Sequence, residues 1–262
     1  MFNFIPRFTF PSSMKNYISF LLSVFCIFLS IAQSDTDFSG ETITFKASDG
    51  INITADLFMA HEASAPFIIL YHQAGYSRGE YRSIAPKLNA MGFNCLAVDQ
   101  RSGDKVNGLI NETHNEAVAK NLPTEYLDAI PDIEAAYLYV KYSIKPDKII
   151  LWGSYYSAAI LFYMGSEHHK NLSGILCFAP GNYFKINNKE LKTFAAKITC
   201  PVFVTSAKSE YKNWKSIYDG IKSEKSYFLP ETEGKHGSKA LWSDNPSHQT
   251  YWTAVTKFLK SL

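Results

Sequence analysis

Apolar and polar positions fall into blocks of two different periods along this chain. Glu41–Lys46 (ETITFK) and Ile51–Met59 (INITADLFM) flank the turn residues Ser48-Asp49-Gly50, which predicts an opening antiparallel hairpin. Phe67–Tyr71 (FIILY) is continuously apolar, as a strand covered on both faces must be. Phe93–Val98, Ile149–Leu151, Ile175–Ala179, Val202–Thr205 and Ser226–Leu229 are the further predicted strands. Between these runs the period changes. Tyr81, Ile84, Ala85, Leu88 and Met91 predict a helix over Glu80–Met91, stopped by Gly92 and bent by Pro86. Leu127, Ile130, Ile133, Tyr137 and Val140 predict a second over Thr124–Tyr142, kinked at Pro131. Further helices are expected after residue 156, around Trp214–Ile221 and over His248–Leu259, with a short polar and helical insertion at Tyr183–Ala196. Residues 103–122 are polar and weakly patterned, a long connection that suits a rim or lid. Strands alternating with helices after a hairpin predict an α/β domain with a mostly parallel sheet and helices on both faces.

The first residues follow a different rule. Lys15 and Asn16 lead into an apolar run from Ile18 that ends Ser30-Ile31-Ala32, the pattern of an export signal cleaved after Ala32, with either Met1 or Met14 as the start. The run is shorter than the roughly 20 residues of a membrane-crossing helix. Residues 1–32 are therefore expected to be a signal peptide, 33–40 a linker and 41–262 one domain of an exported protein, periplasmic or secreted, with no stable membrane span after cleavage. Removing the signal takes Arg7 and Lys15 from the 26 basic residues and none of the 24 acidic ones, so the mature chain is formally neutral. Nothing in that balance points to nucleic acid or an anionic surface. Cys95, Cys177 and Cys200 lie in or beside apolar runs, without C-x-x-C spacing, and read as buried thiols with no zinc site. Asn52, Asn111 and Asn171 begin N-x-[ST] triplets. No G-x-G-x-x-G or phosphate loop is present, so no nucleotide cofactor is expected. Oligomeric state has no signal in the sequence.

Candidate chemistry sits at the ends of the predicted strands, where open parallel sheets bind ligands. The most informative stretch is Ile149–Ile160, IILWGSYYSAAI. An apolar strand runs through Gly153-Ser154-Tyr155-Tyr156-Ser157 directly into a helix, and small residues flank the apex at both sides. The other strand ends carry His72-Gln73-Ala74-Gly75, Ala207-Lys208-Ser209-Glu210 and Gly234-Lys235-His236-Gly237. The turn at 153–157 resembles the nucleophile elbow of the α/β-hydrolase fold, G-x-S-x-G, and position 155, Glu210 and His236 follow that fold's order of nucleophile, acid and histidine. The resemblance covers about residues 41–260 and is closest to dienelactone hydrolases and small carboxylesterases.

What the resemblance implies is hydrolysis of a small carboxylic ester or lactone through an acyl-enzyme, with no cofactor and no metal. His236 would be the general base, Glu210 would orient it, and the N–H groups of Ala74 and Tyr156 would form the oxyanion hole. The apex, however, is Tyr155, and the second elbow glycine is Ser157. Three readings stay open. Tyr155 fills the acyl pocket of a non-catalytic protein that binds a small ligand or a protein partner. Alternatively Tyr155 is itself the nucleophile, against a phenol pKa near 10, or Ser154 serves by a one-residue slip that would crowd Trp152 and Tyr156 into positions needing small residues. His72 reads as a structural hydrogen-bonding residue, His168-His169 as exposed, and Asp99-Gln100-Arg101 as a turn.

Overall fold

The computed structural model describes residues 40–262. The expected signal peptide and nearly all of the linker lie outside the described residues. Among the described residues there are ten strands: β1 (Glu41–Lys46), β2 (Asn52–Phe58), β3 (Phe67–Tyr71), β4 (Asn94–Val98), β5 (Lys105–Val106), β6 (Leu109–Ile110), β7 (Ile149–Ser154), β8 (Gly174–Phe178), β9 (Val202–Thr205) and β10 (Lys225–Phe228). Seven α-helices accompany them among the described residues: α1 (Ala85–Asn89), α2 (Glu112–Ala119), α3 (Ile130–Tyr139), α4 (Tyr156–His168), α5 (Leu191–Ala195), α6 (Tyr211–Gly220) and α7 (His248–Leu259).

Eight strands form one sheet in the order β1-β2-β4-β3-β7-β8-β9-β10, and β5 and β6 form a separate hairpin. β2 is antiparallel to both β1 and β4, and every pair from β4 to β10 is parallel. The carboxyl ends of β3, β4, β7, β8, β9 and β10 therefore open on one edge. The central strands β3, β4, β7 and β8 are buried at every residue, as their unbroken apolar runs require. Trp152 of β7 stacks on Phe178 of β8 with ring centroids 4.8 Å apart. Cys95, Cys177 and Cys200 are buried free thiols.

Three local expectations change. The helix over Glu80–Met91 is split into a 3-10 turn, Arg78–Tyr81, and the five-residue α1. Pro86 stands in the first turn of α1, where its missing N–H costs nothing, so it opens a helix and does not bend one. Pro131 does the same for α3, which is preceded by a 3-10 turn, Tyr126–Ala129, and followed by a π-turn, Val140–Ile144. Residues 103–122 are not a bare connection: they hold the β5–β6 hairpin and α2. Asn111 caps α2 by accepting from the His114 N–H at 2.8 Å and is fully buried, so its N-x-T triplet is closed to a glycan. No helix among the described residues is long and apolar enough to cross a membrane.

Candidate active site

β7 ends at Ser154 and α4 begins at Tyr156, leaving a single residue to reverse the chain. That residue, Tyr155, has φ 59° and ψ −116°, a conformation rare for any side-chain-bearing residue. Such backbone costs ~1–3 kcal/mol and persists only where its surroundings over-determine it. Here the surroundings are explicit. The Tyr155 N–H donates to Phe178 O at 2.8 Å. A Cβ on Gly153 would lie 2.6 Å from Ala158 N and 2.7 Å from its Cα, so only glycine permits helix and strand to approach this closely. Ser157, in place of the second glycine, accepts from the Ser154 N–H at 3.0 Å, and its hydroxyl lies 2.9 Å from both Tyr71 O and His72 O. It ties the elbow to the end of β3.

Glu210 closes a 3-10 turn, Lys208–Glu210, after β9, and Glu210 Oε2 accepts from the Ala207 N–H at 3.0 Å. His236 lies in the loop after β10, between Gly234 and Gly237, both at positive φ. The Gly234 conformation also packs against Tyr251, whose hydroxyl would be 2.2 Å from an added Cβ. The two loops meet where His236 Nδ1 donates to Glu210 Oε1. With Nδ1 so engaged, Nε2 is the atom left to take a proton, and it has no hydrogen-bond partner among the described residues. Lys208, which could have neutralised Glu210, sends its Nζ to Glu231 O at 2.9 Å.

Tyr155 occupies the space beside this pair. Its ring meets the His236 ring edge-on with centroids 4.9 Å apart, and also contacts Tyr183 at 4.4 Å and Tyr126 at 5.8 Å. Tyr126 in turn stacks on Tyr156 at 4.9 Å. Burial pushes the Tyr155 phenol up to about 12, with the Tyr126 hydroxyl and then the Glu210 charge adding to the effect. The phenol thus holds its proton at neutral pH, surrounded by rings. Neither the Ala74 N–H nor the Tyr156 N–H has an acceptor among the described residues, and Gln73 Oε1, which an added Cβ on Gly237 would meet at 2.4 Å, is buried without a partner. Two main-chain donors are therefore free at the carboxyl edge.

Ser154 lies elsewhere. It is fully buried; its hydroxyl donates to Glu80 Oε1 at 2.7 Å and accepts from the Ser238 N–H at 2.9 Å, with no bond to His236. His72 is a buried structural residue: Nδ1 bonds Gln73 O at 2.8 Å and Nε2 accepts from the Gln100 N–H at 3.0 Å. Burial lowers its pKa to about 4, so it is neutral. Arg101 pairs with Asp132 and Asp49, closing the turn after β4. Among the described residues no group of His, Cys, Asp and Glu is placed to hold a metal ion.

Sequence reasoning missed Glu80. It read as the polar start of a helix, yet it is fully buried beneath the elbow. Burial pushes its carboxyl up to about 7, against the opposing pull of the Gln73 N–H, the Ser154 hydroxyl, the Ser238 N–H and the His236 charge. An unfolded glutamate titrates near 4.5. Because the folded state holds the proton more tightly, this group's contribution is full below about pH 4.5 and is lost as pH rises through about 7, by about 3 kcal/mol. Denaturant titrations near pH 5 and pH 8 are expected to show that fall in the parent and a clearly smaller one in Glu80→Gln. Falls of equal size in both proteins would reject the assignment.

No protein-family model matches this chain, and no curated protein matches its sequence. Solved structures do. An esterase of Pyrococcus furiosus is 16% identical with a TM-score of 0.62, over 87% of this chain and 94% of that one. Est1E of Butyrivibrio proteoclasticus, with ferulic acid bound, is 13% identical with a TM-score of 0.65, over 84% and 98%. A dienelactone hydrolase of Anabaena variabilis is 11% identical with a TM-score of 0.62, over 85% and 96%. The chain has the α/β-hydrolase fold.

Proposed function

We propose that this α/β-hydrolase-fold protein receives a small carboxylic ester or lactone at the carboxyl edge of its sheet and holds it without completing the acyl-enzyme route. In the serine form of such a site, the hydroxyl oxygen attacks the carbonyl carbon while the histidine takes its proton. Main-chain N–H groups hold the oxyanion, and the leaving alkoxide recovers the proton from the imidazolium. Here His236 and Glu210 would supply the base, and Ala74 and Tyr156 the oxyanion donors. Tyr155 stands where the nucleophile would be.

The observation that carries the reading is the state of that tyrosine: packed edge-on against His236 and among Tyr126 and Tyr183, with its proton held to about pH 12. A phenol several ångströms longer than a serine side chain takes the nucleophile's place and narrows the acyl position, so that the ester is held without being attacked. The expected result is saturable binding of a short-chain chromogenic ester, read as a change in intrinsic fluorescence. Hydrolysis by the parent and by His236→Ala is expected at the rate of buffer alone. A second reading, ester hydrolysis with Tyr155 as nucleophile, rests on the ring contact between Tyr155 and His236. Parent turnover that disappears in His236→Ala would replace the first reading with the second.

A further inference from the structure

We propose that Glu80 is a positioning residue: its one carboxyl fastens the oxyanion loop, the elbow and the base loop to each other, and so sets the spacing of the groups that face the ligand. The proposal rests on the site reading above only in taking those three loops to be the ligand's surroundings.

The geometry is specific. Glu80 Oε2 accepts from the Gln73 N–H at 2.7 Å; Oε1 accepts from the Ser154 hydroxyl at 2.7 Å and from the Ser238 N–H at 3.1 Å. Each donor stands next to, or two residues from, a group already described. Gln73 precedes Ala74, Ser154 precedes Tyr155, and Ser238 follows His236 by two positions. These donors come from segments 7, 74 and 158 residues away along the chain. Among the described residues no other side chain hydrogen-bonds to all three loops.

The support for the carboxyl is equally particular. Glu80 lies in the turn Arg78–Tyr81, whose backbone is pinned by the Arg78 N–H donating to Asp99 Oδ1 at 2.6 Å. Next to it, the Tyr81 hydroxyl donates to Tyr71 O at 2.7 Å, at the end of β3. Trp242 Nε1 donates to the Glu80 carbonyl at 3.0 Å. A carboxylate offers about four acceptor directions on two oxygens. An apolar residue of the same size would leave the Gln73 N–H and the Ser154 O–H without an acceptor in a buried place, and would leave the Ser238 N–H, which also donates to Ser154 Oγ at 2.9 Å, with the elbow alone. An ordinary core-filling role is served by any group that satisfies the space; a fastener needs acceptors aimed at three strands' loops. Tolerances in such sites are of the order of an ångström.

The test is amide hydrogen exchange on the full chain, comparing parent with Glu80→Gln, which keeps the volume but replaces one acceptor oxygen by a donor. Exchange at Gln73 and at Ser238 is expected to accelerate together by at least ~10-fold, while amides of β3 and β7 such as Ile69 and Leu151 keep their parent rates. Uniform acceleration across the sheet, or no change in the loops, overturns the proposal. Should Glu80→Gln fail to fold, Ser154→Ala removes one donor from the same carboxyl and is expected to accelerate the Gln73 amide, which bonds Glu80 and not Ser154, by at least ~3-fold with Ile69 unchanged; an unaltered Gln73 overturns the proposal equally. A second readout uses Tyr155→Ser as the parent. Adding Glu80→Gln is expected to lower kcat for a short-chain ester by at least ~10-fold with KM within about two-fold. If Tyr155→Ser is inert while the loop amides respond, the site reading falls and the fastener stands. If it turns over and the exchange is uniform, the reverse holds.

Discussion

Replacing Tyr155 by serine is expected to raise ester turnover by roughly 10³-fold or more above the parent, which would sit at the background rate. The case rests on how little of the site depends on the phenol. The elbow is held by Gly153, by the Ser157 hydroxyl and by the bond from Tyr155 N–H to Phe178 O, and the last of these is a main-chain bond that serine keeps. The bond between His236 and Glu210 is made by two loops that do not include residue 155. The two free N–H donors belong to Ala74 and Tyr156, whose main chains the substitution leaves as they are. Removing the ring opens the space between Tyr126, Tyr183 and His236, where an acyl carbonyl would have to lie. In serine hydrolases the loss of the nucleophile alone costs about 10⁶ in kcat, so recovering half of that exponent is a modest demand on an unoptimised pocket. Steady-state assay with a short-chain chromogenic ester measures the gain. Stoichiometric labelling by a fluorophosphonate, absent in the parent, reports the new nucleophile directly. Adding His236→Ala to Tyr155→Ser is expected to return both readouts to background. A folded Tyr155→Ser protein that neither labels nor turns over would remove the ester reading.

Arg78→Met is expected to destabilise the protein by about 3–5 kcal/mol, the usual cost of taking one partner from a buried ion pair. Arg78 Nη1 lies 2.6 Å from Asp99 Oδ2, and its Nε lies 3.0 Å from Asp56 Oδ1, close enough to pair though not aligned for a hydrogen bond. Nη1 also donates to Ile110 O at 3.1 Å, so the same side chain holds the β5–β6 hairpin. Asp99 is already pushed up to about 6 by burial, even with this guanidinium beside it. Without the arginine, two carboxyls would share one buried region with only Thr42 and two main-chain N–H groups for partners. Lysine cannot bridge both acids with a single ammonium, so Arg78→Lys should fall between parent and Arg78→Met. The loss is read from the midpoint of urea unfolding; a shift worth less than about 1 kcal/mol would contradict the account.

Sequence pattern carried the sheet well because its strands announce themselves: FIILY and FNCLAV have one explanation, burial on both faces. It also carried the elbow, since Gly153 and the immediate switch to helical spacing after residue 156 are local. The placement of Glu210 and His236 on loops after successive strands was legible from order alone, although the bond between them was not, being made by segments 26 residues apart. The failures have a common cause. Arg78 and Glu80 are charged, and charge in a short polar stretch reads as solvent-facing. Their burial depends on Asp56, Asp99, Ser154 and Ser238, partners that only the folded topology brings near. The same holds within residues 103–122 for Asn111 and Thr113, which are buried and face protein donors and acceptors while most of the other polar side chains there stay in water. Pro86 and Pro131 were read by their average effect within a helix, when their position in the first turn reverses it.

The strained backbone at Tyr155 has a bearing on how this chain can change over generations. A serine codon of the form TCT or TCC differs from the tyrosine codons TAT and TAC at the middle base alone. The demanding parts of this region, the elbow's φ and ψ and the His236–Glu210 bond, are held by side chains other than that of the apex. Exchange of tyrosine for serine at the apex is therefore a one-nucleotide event in either direction, with no intermediate that must first refold the loop.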